Sequence, residues 1–259
     1  MLDLTPTNVS LMLLASAGAG LVDAIVGGGG LIMVPALFGL FPQALPATLL
    51  GTNKAASIWG TGWSAWQYAK QVKLPSRRLM GALIAAMLGA LFGAWLATQV
   101  PASRFRLALP FVLGAVWLYT LWRKDLGHHH APHWSPRTET LLATTIGAAI
   151  GFYDGIFGPG TGSFFVFALV RLLGWDFLHA SAAAKRLNFA TNLAALAWFM
   201  PHGHVVWALA LPMAVANVAG STVGTRLALR HGSGFVRLAF LTVVGALILK
   251  TAWDALPKG

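Results

Sequence analysis

Asp154-Gly155-Ile156-Phe157-Gly158-Pro159-Gly160-Thr161-Gly162-Ser163 is a helix-breaking stretch set inside an apolar run that covers residues 139–171. It has a counterpart in Asp23-Ala24-Ile25-Val26-Gly27-Gly28-Gly29-Gly30, inside the apolar run 9–41. Four consecutive glycines cost about 1 kcal/mol each in a helix interior. Non-helical backbone at membrane depth persists only where protein or a water-filled cavity surrounds it. Both stretches therefore read as breaks in a membrane helix at a cavity. Free N–H groups and the helix dipole at such a break make an anion cradle, with Gly28, Gly29, Gly30, Gly160, Thr161 and Gly162 as its backbone. Close helix packing is the competing reading of membrane glycines. It suits Gly89, Gly93, Gly220 and Gly224, at i, i+4 spacing, but not runs that also hold Pro159.

The rest of the chain supports the membrane reading. Of 259 residues, 57% are hydrophobic and 10% charged, against about 25% charged in a soluble domain. Apolar segments of helical length fall at about 9–41, 44–69, 79–99, 105–122, 139–171, 178–200, 205–229 and 234–254. Their continuity excludes the alternating pattern of a membrane β-barrel. The fold class is all-α: a polytopic membrane bundle with about four segments on each side of a polar centre. The net charge of +11 sits mostly at segment ends, where leaflet anchoring accounts for it without nucleic acid as a partner. The amino terminus lacks a basic n-region and reads as a retained first segment. Zero cysteines exclude disulfides, thiol catalysis and Cys-type metal sites.

Sliding the second half over the first at an offset of 131 gives a gapless match of residues 20–122 with 20 identities in 103 positions. The matches include Asp23 with Asp154, Gly27 with Gly158, Gly29 with Gly160, Lys54 with Lys185, Gly89 with Gly220 and Gly93 with Gly224. This divides the chain into a first transmembrane repeat, 1–122, a His-rich linker, 123–138, and a second repeat, 139–259. Related halves of one bundle are a transporter signature, with the substrate site expected between them near the midplane. Parity of the crossings decides whether the halves are inverted or parallel, and basic residues on the two faces count seven against six.

Lys54 and Lys185 lie in the second segment of each half with Asn53, Ser57, Asn188, Thr191 and Asn192 nearby. A basic side chain at a helix centre costs about 2.5–3.5 kcal/mol on the insertion scale, so each is expected to face the interior rather than snorkel from a helix end. Lys185, Asn188 and Asn192 share one helical face. Asp23 and Asp154 are the two acidic residues inside apolar segments. Two roles stand equally for them: proton carrier, or structural counter-ion to Lys54 or Lys185 and cap at the glycine break. His128, His129, His130 and His133 lack carboxylate or thiolate company beyond Asp125, so no metal site is expected there. Most tryptophans, Trp59, Trp63, Trp66, Trp175 and Trp207 among them, read as interface belt. No nucleophile–base constellation or cofactor motif is present, so neither an enzyme nor a cofactor is expected.

At these same residues the chain resembles the sulfite exporter TauE/SafE family, also called the toluene sulfonate uptake permease family. The likeness rests on Gly27-Gly28-Gly29-Gly30-Leu31-Ile32-Met33-Val34-Pro35 and Gly51-Thr52-Asn53-Lys54 in the first half. In the second it rests on residues 151–164 and on Ala183-Ala184-Lys185-Arg186-Leu187-Asn188-Phe189-Ala190-Thr191-Asn192. The resemblance implies a bacterial-type inner-membrane, multi-pass secondary carrier of sulfite or organosulfonates, often proton-coupled. Its expected site comprises Gly28, Gly29, Gly30, Asn53, Lys54, Gly160, Thr161, Gly162, Lys185, Asn188 and Asn192 for the anion, with Asp23 or Asp154 exchanging the proton. Its partners are then a small anion, protons and the bilayer. A passive anion channel and a membrane subunit anchoring a partner through the central loop are the alternatives.

Overall fold

A computed structural model describes residues 4–74, 76–105, 107–108, 111 and 134–255. The expected segment 105–122 lies almost wholly outside the described residues, as do His128, His129, His130 and His133. Among the described residues the helices are α1 Pro6–Val26, α2 Gly30–Leu40, α3 Pro46–Gln71, α4 Ser76–Gln99, α5 Pro136–Ile156, α6 Thr161–Leu173, α7 Phe177–Phe199 and α8 Trp207–Ala255, and residues 102–105, 107–108 and 111 are helical as well. No strand occurs among the described residues. Pro6–Val26, Leu79–Gln99 and Trp207–Gly232 are long and apolar enough to cross a membrane, whose hydrocarbon is about 30 Å thick. The protein is an all-α, polytopic membrane bundle.

Local chemistry sets the helix ends. The Thr5 hydroxyl accepts from the Asn8 N–H and Pro6 opens α1; Ser135 accepts from Thr138 and Pro136 opens α5. Pro136 falls within the expected linker, so its last three residues are helical. Asp176 caps α7 by accepting from the Leu178 and His179 N–H groups. Both long first segments break at glycine, as read from the sequence. Gly27 (φ 81°) ends α1, and Gly158 (φ 84°) and Gly160 (φ 78°) separate α5 from α6, in a left-handed conformation that costs glycine little. The last two apolar segments meet at Gly232, whose non-helical backbone (φ 70°, ψ −163°) divides α8 into two helices.

Helix starts recur at nearly the 131-residue offset: Pro6 and Pro136, Gly30 and Thr161, Pro46 and Phe177, Ser76 and Trp207. The packing follows the same rule. α1 lies against α8 as α5 lies against α4; α3 lies against α8 as α7 lies against α4; and α3 meets α7 at the centre. The isolated glycines make these seams. A Cβ on Gly89 would stand 2.5 Å from the Ala148 carbonyl oxygen and one on Gly220 1.9 Å from that of Ala17. Gly93 and Gly224 meet the Phe152 and Leu21 carbonyls in the same way. Because backbone cannot swing aside, Gly220→Ala is expected to cost about 1–3 kcal/mol. It should lower the thermal midpoint of the detergent-solubilised protein, whereas Gly18→Ala, inside α1 with nothing within 4 Å, should hold or raise it, alanine being the better helix former.

The half-length helices α2 and α6 span 11 and 13 residues, about 16 and 20 Å. Each is wrapped in its own apolar cluster. Met33, Val34, Leu37 and Phe38 of α2 pack with Leu49, Leu50, Phe199 and Met213. Phe165, Val166, Leu169 and Leu173 of α6 pack with Ile25, Val26, Tyr68 and Leu187. Among the tryptophans, Trp59 and Trp66 are exposed, as a belt requires, but Trp175 is buried and its Nε1–H donates to Glu139 Oε1 at 3.0 Å. The indole there is a core hydrogen-bond donor rather than an interface anchor.

Candidate functional site

The two glycine breaks cross. A Cβ on Gly27 would lie 2.2 Å from the Gly162 carbonyl carbon, and one on Gly30 3.0 Å from the Gly158 oxygen. The Ser163 N–H donates to the Gly27 oxygen at 2.9 Å, and its hydroxyl to the Val26 oxygen at 3.0 Å. Each break thus supplies a close contact that the other needs, which accounts for glycine on both sides. Neither α2 nor α6 has a side-chain cap at its N-terminus; the start of α6 is met by backbone oxygens, the Thr161 N–H donating to Gly158 as the Ser163 N–H does to Gly27.

Both lysines face inward, 2% and 0% exposed at Lys54 and Lys185, which rules out snorkelling. Each is held by the aspartate of the opposite half. Lys54 Nζ lies 2.6 Å from Asp154 Oδ2, and Lys185 Nζ lies 3.2 Å from Asp23 Oδ2 and also donates to the Asp23 backbone oxygen. The 131-residue offset interchanges these two pairs. Thr61 Oγ1 adds a 3.4 Å hydrogen bond to Asp23 Oδ2. Asp23 and Asp154 thus each stand as the counter-ion of a lysine.

A cavity of about 30 Å³ lies among the pairs. Of the expected residues, Asp23, Gly29, Gly30, Asn53, Asp154, Asn188 and Asn192 line it; Ser57, Thr61, Gly158 and Asn217 join them. Gly28, Lys54, Gly160, Thr161, Gly162 and Lys185 do not. The lysines stand behind their carboxylates, Gly162 is packed on Gly27, and Thr161 Oγ1 donates to the Gly158 oxygen at 2.9 Å. Asn53 Oδ1 is buried without a hydrogen-bond partner among the described residues. Thr61 was legible through the repeat, because subtracting 131 from Asn192 lands on it, as subtracting 131 from Asn188 lands on Ser57. Asn217 was not, since its equivalent is Ala86; its signal is an amide in an otherwise apolar span.

A lysine–carboxylate pair thus lies buried beside a polar cavity on each of its two sides. The sequence profile described as Sulfite exporter TauE/SafE matches residues 12–251. The chain belongs to the sulfite exporter TauE/SafE family. Among TauE/SafE relatives, the Probable membrane transporter protein ORF9 of Sinorhizobium sp is 35% identical over 98% of this chain and 96% of its own length. The Probable membrane transporter protein YfcA of Escherichia coli K12 is 34% identical over 97% and 92%. A Probable membrane transporter protein of Haemophilus influenzae is 33% identical over 91% of each. No solved structure matches the chain. This TauE/SafE protein is a membrane transporter, not an enzyme.

Proposed function

We infer that the chain is a proton-coupled secondary carrier in the inner membrane for small sulfur-containing anions such as sulfite or organosulfonates, its direction set by the anion and proton gradients. The two halves act as repeats that bind the anion between them. The observation that carries the reading is the crossed pairing of Lys54 with Asp154 and Lys185 with Asp23 around a polar cavity. An anion cannot take either ammonium while a carboxylate holds it. Protonating the carboxylate removes that competitor, and the anion replaces it on the lysine. Asn53, Asn188 and Asn192, with the N-terminal end of α2, orient its oxygens. The coupling proton and the anion then share one exchange, repeated in each half, so two protons accompany each anion.

A cavity of about 30 Å³ has room for roughly two waters. A multi-atom anion therefore needs the halves to part, and the crossing at Gly27 and Gly162 is where they meet. Movement of one half against the other around a fixed site is alternating access. The test is uptake of labelled sulfite into proteoliposomes with the membrane potential clamped at zero. With two protons per anion, each pH unit, outside acidic, is expected to concentrate the anion about a hundredfold, a factor of ten per proton. Equilibration without accumulation would identify a passive channel. Absence of both flux and counterflow for sulfite, thiosulfate, sulfoacetate and sulfate would remove the sulfur-anion assignment.

A further inference from the structure

On the far side of α3 from the cavity lies a larger apolar groove of about 750 Å³ between α3, α7 and α8, lined by Trp59, Trp63, Trp66, Phe189, Leu193 and Trp207 among others. Trp59 is 58%, Trp66 51%, Leu193 45% and Trp207 41% exposed. In a membrane protein this face meets lipid rather than water.

Trp59, Trp63, Trp66 and Lys70 follow at intervals of four, three and four residues, which puts them in one stripe along α3. Lys70 Nζ sits 3.2 Å from the centroid of the Trp66 ring, in the last turn of α3, and Lys73 follows just beyond it. The stripe therefore has a cationic head and an aromatic body. From Lys70 to Trp59 it runs about 16 Å, close to one leaflet of a hydrocarbon core about 30 Å thick. α8 runs alongside α3, with Val206 N–H donating to Thr52 and Thr225 to Ser64, so Trp207 stands at the end opposite Lys70. Between the two ends, Trp63 Nε1 is buried with no acceptor among the described residues, and the Trp63 and Trp66 rings lie 5.1 Å apart.

We propose that this groove is a binding site for one anionic phospholipid. The phosphate sits at Lys70 and Lys73, and an acyl chain lies along Trp59, Phe189 and Leu193. Charge complementarity selects the headgroup, and the length of the stripe selects a single-leaflet chain over a spanning peptide. The lipid is also a wedge beside the transport site. Ser57, Thr61, Asn188, Asn192 and Asn217 line the cavity, while their immediate neighbours Ile58, Gly62, Phe189, Leu193 and Val218 line the groove.

The test is native mass spectrometry of the purified full chain titrated with phosphatidylglycerol and, separately, phosphatidylcholine. Phosphatidylglycerol is expected to bind preferentially. Lys70→Gln should weaken it about fivefold, and Leu193→Trp, whose larger ring narrows the groove where the acyl chain lies, should weaken it as well; the thermal midpoint of each variant checks folding. Equal retention of both lipids, or retention unchanged in Leu193→Trp, would overturn the proposal. So would a dimer lost on Leu193→Trp, because the groove's occupant would then be a second copy of the chain.

Discussion

Replacing Asp154 by asparagine is expected to halve the proton coupling of transport without stopping it. Asparagine keeps the shape and polarity of a protonated aspartic acid but cannot release a proton. Lys54, held 2.6 Å from Asp154 in the parent protein, is then permanently available to the anion. Under a clamped potential, accumulation per pH unit should fall from about a hundredfold to about tenfold, one proton having been removed. Asp23→Asn should do the same, because its pair with Lys185 is the equivalent one, and the double variant should exchange labelled anion but accumulate none. Counterflow that disappears in the single variant, or a pH drive that survives in the double one, would refute the exchange on the lysines.

The second large effect is on the fold itself. Lys185 is fully buried and reaches both the backbone oxygen and the carboxylate of Asp23. Removing one member of a buried pair leaves the other uncompensated, at a cost of about 3–5 kcal/mol. Lys185→Ala is therefore expected to lower the thermal midpoint strongly as well as to end transport. Asp23→Leu made together with Lys185→Met should recover most of the stability, since two apolar groups of similar size need no partner, yet it should bind no anion. If the double variant transported, the pair would be a structural strut only. Transport by Lys185→Ala at parent rates would move the site away from this lysine.

Why the paired design was partly visible beforehand follows from the energetics of the bilayer. A charge at membrane depth must be satisfied by protein, so Lys54, Lys185, Asp23 and Asp154 had to point inward, and the 131-residue offset made them equivalent two by two. Which aspartate serves which lysine was not in that argument. Asp23 is nearer to Lys54 in sequence, yet it pairs with Lys185, because helix packing carries each lysine past its own half. The glycine clusters tell a similar story. Breaks at Gly27 and Gly158 were legible as a violation of helix propensity, but the contact of Gly27 with Gly162 joins residues that the repeat does not relate. The apolar groove was hidden, since Trp59, Trp63 and Trp66 have the composition of any interface belt. Only their position between α7 and α8 turns a belt into a concavity.

The sequence by itself determined the class, the breaks, the internal offset and the membership of the family. These depend on composition, local propensity and short-range pattern, which the bilayer enforces residue by residue through desolvation. Only the tertiary structure decided the crossed ion pairs, the entry of Asn217 into the cavity wall, and the withdrawal of both lysines behind carboxylates. Both ion pairs join residues a hundred or more positions apart. They arise from how helices pack through their small residues, which no local pattern encodes.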